Sequence, residues 1–539
     1  MFLAVAIPAR ASGETEPVPA RVMARARALA VWEDPTWLRL LHYRSEPFGG
    51  VESEVDGAAF FLAPRGKTDP QAELFATLRA LYRPLTKTPD SHARCRFPAR
   101  FHWLNERLDL SDLPRLRCPK FQAFWARTLP ERVALVYAAN SVENPVSSFG
   151  HTFLLLQRAS AARLAIAVEY APDTKAENPL VYAFKGLFGM YPGRYRFHRL
   201  EDKQRYYLDE EGRDLWEYEL GLSQGEIAQL IRHLWELSFT HFDYYYMSEN
   251  CSYGVLAVLE AAVPRLELIE HTKFVVAPVD TVKALFETPG LVTRIRHRPA
   301  SHDGSAPLRQ QSPHRGHDSM RVVLGTGFTT QYNDGFFTLG YRMALHDLAD
   351  PPAGQPGLSQ IQFMDVRVRY EAERRRFTLN AATFAELMTL HPLDVGFRPS
   401  WRVRAYGERF RDSGCDNEDC FGHGLDASLG LSAATPGQLL TAFAMADAYV
   451  LFSGQFDGIG GSFVRAGVGP FAGVRLDAED VAVLLVTGTF SYLPAQHTQT
   501  TYELRSTLRT RLGTNVALGA EALLQPLALE AQLLSYLYF

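Results

Sequence analysis

The chain has 539 residues, a formal net charge of −4 and 47% hydrophobic residues. That length exceeds one ordinary core and predicts two to four domains. The charge offers no basic footprint for a nucleic-acid partner, and no run approaches the ~18 uninterrupted apolar residues of a membrane-spanning helix.

The opening stretch MFLAVAIPARASGETEP is apolar over residues 2–7, and Ala9-Arg10-Ala11 fits an A-x-A cleavage site. Residues 1–11 therefore read as the remnant of a secretory signal whose basic start lies upstream. The cysteines agree with export. Cys95 and Cys118 are close in sequence, and Cys415 and Cys420 lie five apart in the polar loop RDSGCDNEDCFG; two local pairs suit an oxidising compartment. Cys251 is left over as a free-thiol candidate.

Residues 12–125 predict a mainly helical accessory domain. Leu29, Trp32, Trp37, Leu40 and Leu41 recur at helical spacing, and Asp69-Pro70 is a helix-start signal before QAELFATLRALY. The tryptophans read as core. From about 130 the texture becomes mixed. RVALVYAAN, HTFLLLQ and ARLAIAVEYA predict strands, KGLFGMYPGRY a glycine-rich turn or loop, and SQGEIAQLIRHLWELSF a helix with a Ser223/Glu226 capping box. CSYGVLAVLEAAV predicts a second helix beginning at Cys251. Residues 126–298 thus form an α+β domain. Residues 299–319, rich in Pro, Ser, Gly and His, read as a solvated linker.

After residue 320 the period becomes two. Val366, Val368 and Tyr370 share one face and Asp365, Arg367, Arg369 and Glu371 the other; Tyr502, Leu504, Leu508 and Leu512 oppose Glu503, Arg505, Arg509 and Arg511. About twelve such segments, separated by turns such as TPGQ, DAED, GTN and QP, predict an antiparallel transmembrane β-barrel over 320–539. A β-sandwich is the alternative, but its strands are shorter. The aromatic-rich last segment, ending on Phe539, resembles an outer-membrane assembly signal. An even strand number puts both barrel ends in the periplasm with the preceding domains, and the Cys415/Cys420 loop, after the fifth strand, on the outside.

The chemistry centres on Cys251. A cysteine attacks as the thiolate, and a helix N-terminus supplies partial positive charge and unpaired N–H groups for it and for an oxyanion. His151, where a Ser/Gly/Pro loop enters a strand, is the candidate base; a satisfied structural histidine is the alternative. Asn250, Ser148 and Ser252 are candidates for substrate binding or the oxyanion site, with capping the first role for Asn250. No HExxH or paired CxxC supports a metal, and nothing points to a cofactor.

The motifs NSVENPVSSFGHTFLLL, KGLFGMYPGRY, RDLWEYEL and FDYYYMSENCSYGVLAVLE, in this order over about 125–290, resemble the bacterial Lnb family. The segment before them and the barrel-like C-terminus also resemble regions found on some members. The resemblance implies a papain-like, permuted NlpC/P60-type fold, in which histidine precedes cysteine, as His151 precedes Cys251. It implies acyl transfer in two steps. Cys251 attacks a phospholipid ester with His151 as base, and the acyl-thioester passes its chain to an amine, the N-terminus of a lipoprotein. Glu169, in IAVEYA, is the candidate to orient the imidazole. Two other readings stay open: a cysteine amidase or peptidase acting on peptidoglycan, and a non-catalytic outer-membrane barrel or scaffold.

Overall fold

Four of the accessory helices start on proline, where a missing N–H costs nothing: Pro35–Leu40, Pro70–Leu81, Pro98–Leu108 and Pro119–Thr128, with Asp34 and Asp69 capping the first two. The helix expected across residues 29–41 is broken. Ala30 takes a left-handed conformation (φ 43°) and Pro35 starts a new helix, so the chain turns between Ala20–Ala28 and Pro35–Leu40. The computed structural model describes residues 18–539 except 86–87, 143–147, 159–164, 175–177, 301–311, 356, 394–396, 458–462, 480, 495–496 and 498. The signal remnant at 1–11 lies outside the described residues. Cys95–Cys118 and Cys415–Cys420 are disulfides, and Cys251 is a free, buried thiol.

The middle domain is built on one antiparallel sheet. Its strands are β1 (Arg132–Ala138), β2 (His151–Gln157), β3 (Ile166–Pro172), β4 (Pro192–Arg199), β5 (Leu215–Leu220), β6 (Phe242–Asp243) and β7 (Val292–Arg298), in the spatial order β6-β4-β3-β2-β1-β5-β7. Its helices are α1 (Pro179–Leu187), α2 (Leu200–Gln204), α3 (Gln224–Leu237), α4 (Cys251–Ala262) and α5 (Pro278–Glu287). The KGLFGMYPGRY segment, expected as a turn or loop, instead ends α1 and opens β4. The capping box at the head of α3 forms, with Ser223 and Glu226 bonding reciprocally.

Nearly every residue of α4 is buried, because it lies between the sheet and the other helices. Gly254 makes this possible. A Cβ there would meet the Tyr170 ring at 2.5 Å, so the glycine lets α4 rest directly on β3. The accessory domain is fastened to α3 by a buried ion cluster. Arg100 reaches Glu73 at 3.1 Å and Glu236 at 3.2 Å, all three fully buried, and Glu236 also accepts the Ala99 and Arg100 N–H groups.

Among the described residues, twelve antiparallel strands from Arg321–Thr329 to Ala528–Tyr538 close into a barrel, the last strand pairing with the first. The period-two pattern resolves as expected. Leu504, Leu508 and Leu512 face outward and are exposed, while Glu503, Arg505 and Arg509 line the lumen. An apolar exterior around a charged interior is the arrangement of a membrane barrel. Met320 and Phe539 exchange backbone hydrogen bonds at the end next to the other domains, and the Cys415–Cys420 loop follows the fifth strand at the far end.

A turn reaches across the lumen at the domain end. The turn 347–358 carries Asp347 and Asp350 to Arg321, Arg342 and Arg509 on one side of the wall. Its Leu348 and Leu358 join Met388, Phe443, Met445 and Phe471 on the other. One short segment therefore ties opposite strands together through the barrel interior. Residues 312–319, expected within a solvated linker, also pack closely. His314 stacks on Phe286 (4.1 Å) and buried His317 lies against Tyr538 (4.2 Å). The first part of that linker, 301–311, lies outside the described residues.

Candidate active site

Three elements bring the chemistry together: the first residue of β2, the middle of β3 and the first residue of α4. Gly150, with φ +88°, precedes His151, and a Cβ there would meet Tyr137 at 2.8 Å. The left-handed turn, open to glycine, sets His151 at the end of its strand, opposite Ala138. Thr152, the next residue, donates to Ser252 Oγ at 2.9 Å and so ties β2 to the first turn of α4.

Cys251 heads α4, 6% exposed. His151 Nε2 lies 3.5 Å from Glu169 Oε2, long for a hydrogen bond and better described as a charge contact. The other partner of the imidazole is the Cys251 thiol. Burial opposes ionisation of Cys251, but the charge and hydrogen bond of His151 outweigh it and bring the thiol down to about 7. Burial likewise disfavours the imidazolium, yet Cys251 first and Glu169 second carry His151 up to about 9. The pair therefore favours thiolate and imidazolium near neutral pH. Burial also works against the Glu169 anion, and His151 and Lys203 overcome it, holding the carboxyl well below the usual range.

Two of Glu169's partners were not legible as site residues. His198 Nε2, on β4, lies 2.7 Å from Oε1, and Lys203 Nζ, on α2, lies 2.5 Å from Oε2. The strand pairing β3–β4 places both; nothing in their local sequence announces it.

Asn250 is occupied as a cap. Its Oδ1 accepts from the Ser252 and Tyr253 N–H groups, and its Nδ2 donates to Tyr246 O (3.0 Å) and Val276 O (2.6 Å). Ser252 Oγ is 3.8 Å from Cys251 Sγ and fully buried. Ser148 is fully buried in the turn before Gly150. A further residue enters here, Tyr244. Its hydroxyl accepts the Cys251 N–H at 3.0 Å, which sets the phenol beside that residue. Burial first, and then the Cys251 charge, push its pKa well above the ordinary value, so it stays a neutral O–H donor. Among the described residues no group of three His, Cys, Asp or Glu side chains is arranged to hold a metal ion.

Comparison with known families matches residues 120–288 to the model of the Lnb N-terminal periplasmic domain. The middle domain is an Lnb-type periplasmic domain. Residues 29–107 and 310–537 match two models described only as domains of unknown function. The search of curated proteins found no match. Among solved structures, the chain is similar to the KdgM porin in complex with disordered oligogalacturonate, at 8% identity over 41% of this chain and 99% of that one (TM-score 0.25). It is similar to the NanC porin at 10% identity over 40% and 99% (TM-score 0.26), and to an outer membrane channel from Pseudomonas putida F1 at 12% over 45% and 99% (TM-score 0.26). The barrel reading rests on closure of the strands and on which residues face out. The chain thus joins an Lnb-type periplasmic domain to an outer-membrane-type barrel, with its N-terminal domains in the periplasm.

Proposed function

We propose that this protein is a cysteine acyltransferase of the cell envelope, taking an acyl chain from a phospholipid and passing it through a Cys251 thioester to an amine, the N-terminus of a lipoprotein. The observation that carries the reading is the line Cys251–His151–Glu169 at the head of α4, with Tyr244 beside it. The Cys251 thiolate attacks the ester carbonyl, and the developing oxyanion takes the Tyr244 O–H. His151 then gives its proton to the departing lysophospholipid oxygen, leaving a thioester and a neutral imidazole. The acceptor amine attacks the thioester carbonyl, His151 takes its proton, and the thiolate leaves, which restores the starting pair. Glu169 holds the imidazole charge through both steps.

The test is intact mass spectrometry of the detergent-solubilised chain after incubation with phosphatidylethanolamine. One acyl group on the protein, removed by hydroxylamine and missing from Cys251→Ser, is expected. Acyl label retained on Cys251→Ser would remove Cys251 as nucleophile. Release of free fatty acid with no transfer to an added peptide amine would make the enzyme a hydrolase. Lipoproteins from cells with and without this chain, differing by one N-acyl mass, would identify the acceptor.

A further inference from the structure

The Lnb-type domain meets the barrel on outward-facing residues at the domain end of its wall. Along the third barrel strand, Ser359–Glu371, Gln360, Gln362 and Asp365 line the lumen, so Ile361 and Phe363 between them face outward. By the same alternation Leu387, between lumen-lining Glu386 and Met388, and Trp401, next to lumen-lining Arg402, face outward on the following strands. Ile361 is buried within the apolar cluster that forms the core of the N-terminal domains, and Phe363, Leu387 and Trp401 pack against it. The direct contact is Phe149, two residues before His151, stacked on Phe363 with ring centroids 4.8 Å apart. The placement is anchored from below. Asp318, just before the first barrel strand, binds Lys273 (2.8 Å) and Lys283 (2.9 Å), and Ser319 bonds Asp280. The catalytic edge of the domain is thus held against the surface that a membrane barrel presents to lipid.

Two elements rim this edge, and both expose apolar side chains. Tyr182 of α1 packs on Tyr246, and the Tyr246 N–H donates to Gly186 O, so α1 lies over the approach to Cys251. On its other side Phe184, Leu187, Phe188 and Met190 are roughly half exposed or more. The loop 272–277 is bound to the head of α4, since Val276 O accepts from Asn250, and it is fixed at the barrel rim by Lys273. Its Phe274 is 82% exposed. A rim of large apolar side chains next to a membrane wall has one solvent suited to it.

We propose that α1 and the Phe274 loop enter the periplasmic leaflet of the outer membrane, so that the Cys251 site draws its substrate from lipid beside the barrel wall. The occupant is the lipid surface itself, argued from continuity of the rim with the outward face of the barrel through Phe149 and Phe363. As an account of where the acyl donor comes from, it rests on the acyltransferase reading; as a statement of membrane depth, it stands alone.

The experiment uses the full chain in nanodiscs of phosphatidylethanolamine and phosphatidylglycerol, in a Cys251→Ser background that cannot transfer an acyl group. A single cysteine replaces Phe188 and carries an NBD fluorophore. A second protein carries it in place of Phe48, fully exposed on the accessory domain. At Phe188→Cys, doxyl-labelled lipid should quench the probe, and aqueous iodide should quench it at least fivefold less than at Phe48→Cys. Equal iodide quenching at the two positions, or no quenching by doxyl lipid at Phe188→Cys, overturns the proposal. Thioester formation by the native-cysteine chain from phospholipid in detergent micelles separates the two ideas. A wet probe with a thioester refutes the membrane contact alone, and a buried probe without one refutes the chemistry alone.

Discussion

Replacing Glu169 with glutamine removes the charge beside His151 Nε2 and keeps the shape of the side chain. His151 is carried from 6.5 to about 9 against its burial. Cys251 is the larger contributor and Glu169 the smaller, so losing the carboxylate lowers His151 by about one pH unit, roughly 1.4 kcal/mol. Lys203, left without its partner, pushes the same way. While Cys251 is still a thiol, His151 lacks its larger partner, so losing Glu169 as well leaves the imidazole mostly neutral, the thiolate forms without its cation, and Cys251 moves from about 7 toward about 8. At pH 6.5 the thiolate fraction then falls from about a quarter to about 3%, roughly eightfold. A more basic thiolate is about threefold more nucleophilic, so the net loss in alkylation rate is about threefold. At pH 9, where both proteins are mostly thiolate, the variant should be the faster. The assay is the rate of iodoacetamide labelling at Cys251 between pH 5.5 and 9.5. Curves that cross, with the midpoint displaced upward, are expected. A midpoint still at about 7 would show that Glu169 does not hold the imidazole charge, and a uniform loss at every pH would show damage to the fold.

Tyr244→Phe should cut thioester formation by about 10²-fold while leaving the pH midpoint of iodoacetamide labelling in place, since the hydroxyl serves the oxyanion rather than the thiol. Gly150→Ala forces a side chain into a left-handed turn 2.8 Å from Tyr137, and should lower stability by about 1–3 kcal/mol, read as a lower midpoint of thermal unfolding in detergent. Asp347→Ala combined with Asp350→Ala removes both carboxylates by which the turn holds Arg342 and Arg509, so the double variant should conduct ions across a planar bilayer more readily than the parent. Residues 320–539 should migrate in a heat-modifiable way in detergent gels; a monomer soluble without detergent would contradict a membrane barrel.

What was legible in the sequence was periodic or terminal. The barrel repeats an outward–inward alternation twelve times, and such a pattern survives local exceptions. Cys251 and His151 each mark the first residue of an element, and element starts carry their own signals: an asparagine cap for one, a glycine with positive φ for the other. The break at Ala30, the helix within the KGLFGMYPGRY region and the packing of 312–319 were not legible, because tertiary contacts decide them.

The rest of the site depends on pairings no local pattern contains. His198 and Lys203 reach Glu169 because β4 lies beside β3 and α2 follows β4. Tyr244 matters because the chain entering α4 folds back over its own first N–H. Phe149 and Phe363 depend on the fold in the same way. Each is an ordinary apolar residue in its own segment, and 214 positions part them in the sequence. Stacked together, they set the distance between a reactive thiol and the surface of a membrane. On the proposed function, catalysis lies in Cys251 and His151, whereas access to substrate lies in how two domains meet; a variant that loosened the Phe149–Phe363 contact would therefore be expected to keep its thiol chemistry and lose its lipid.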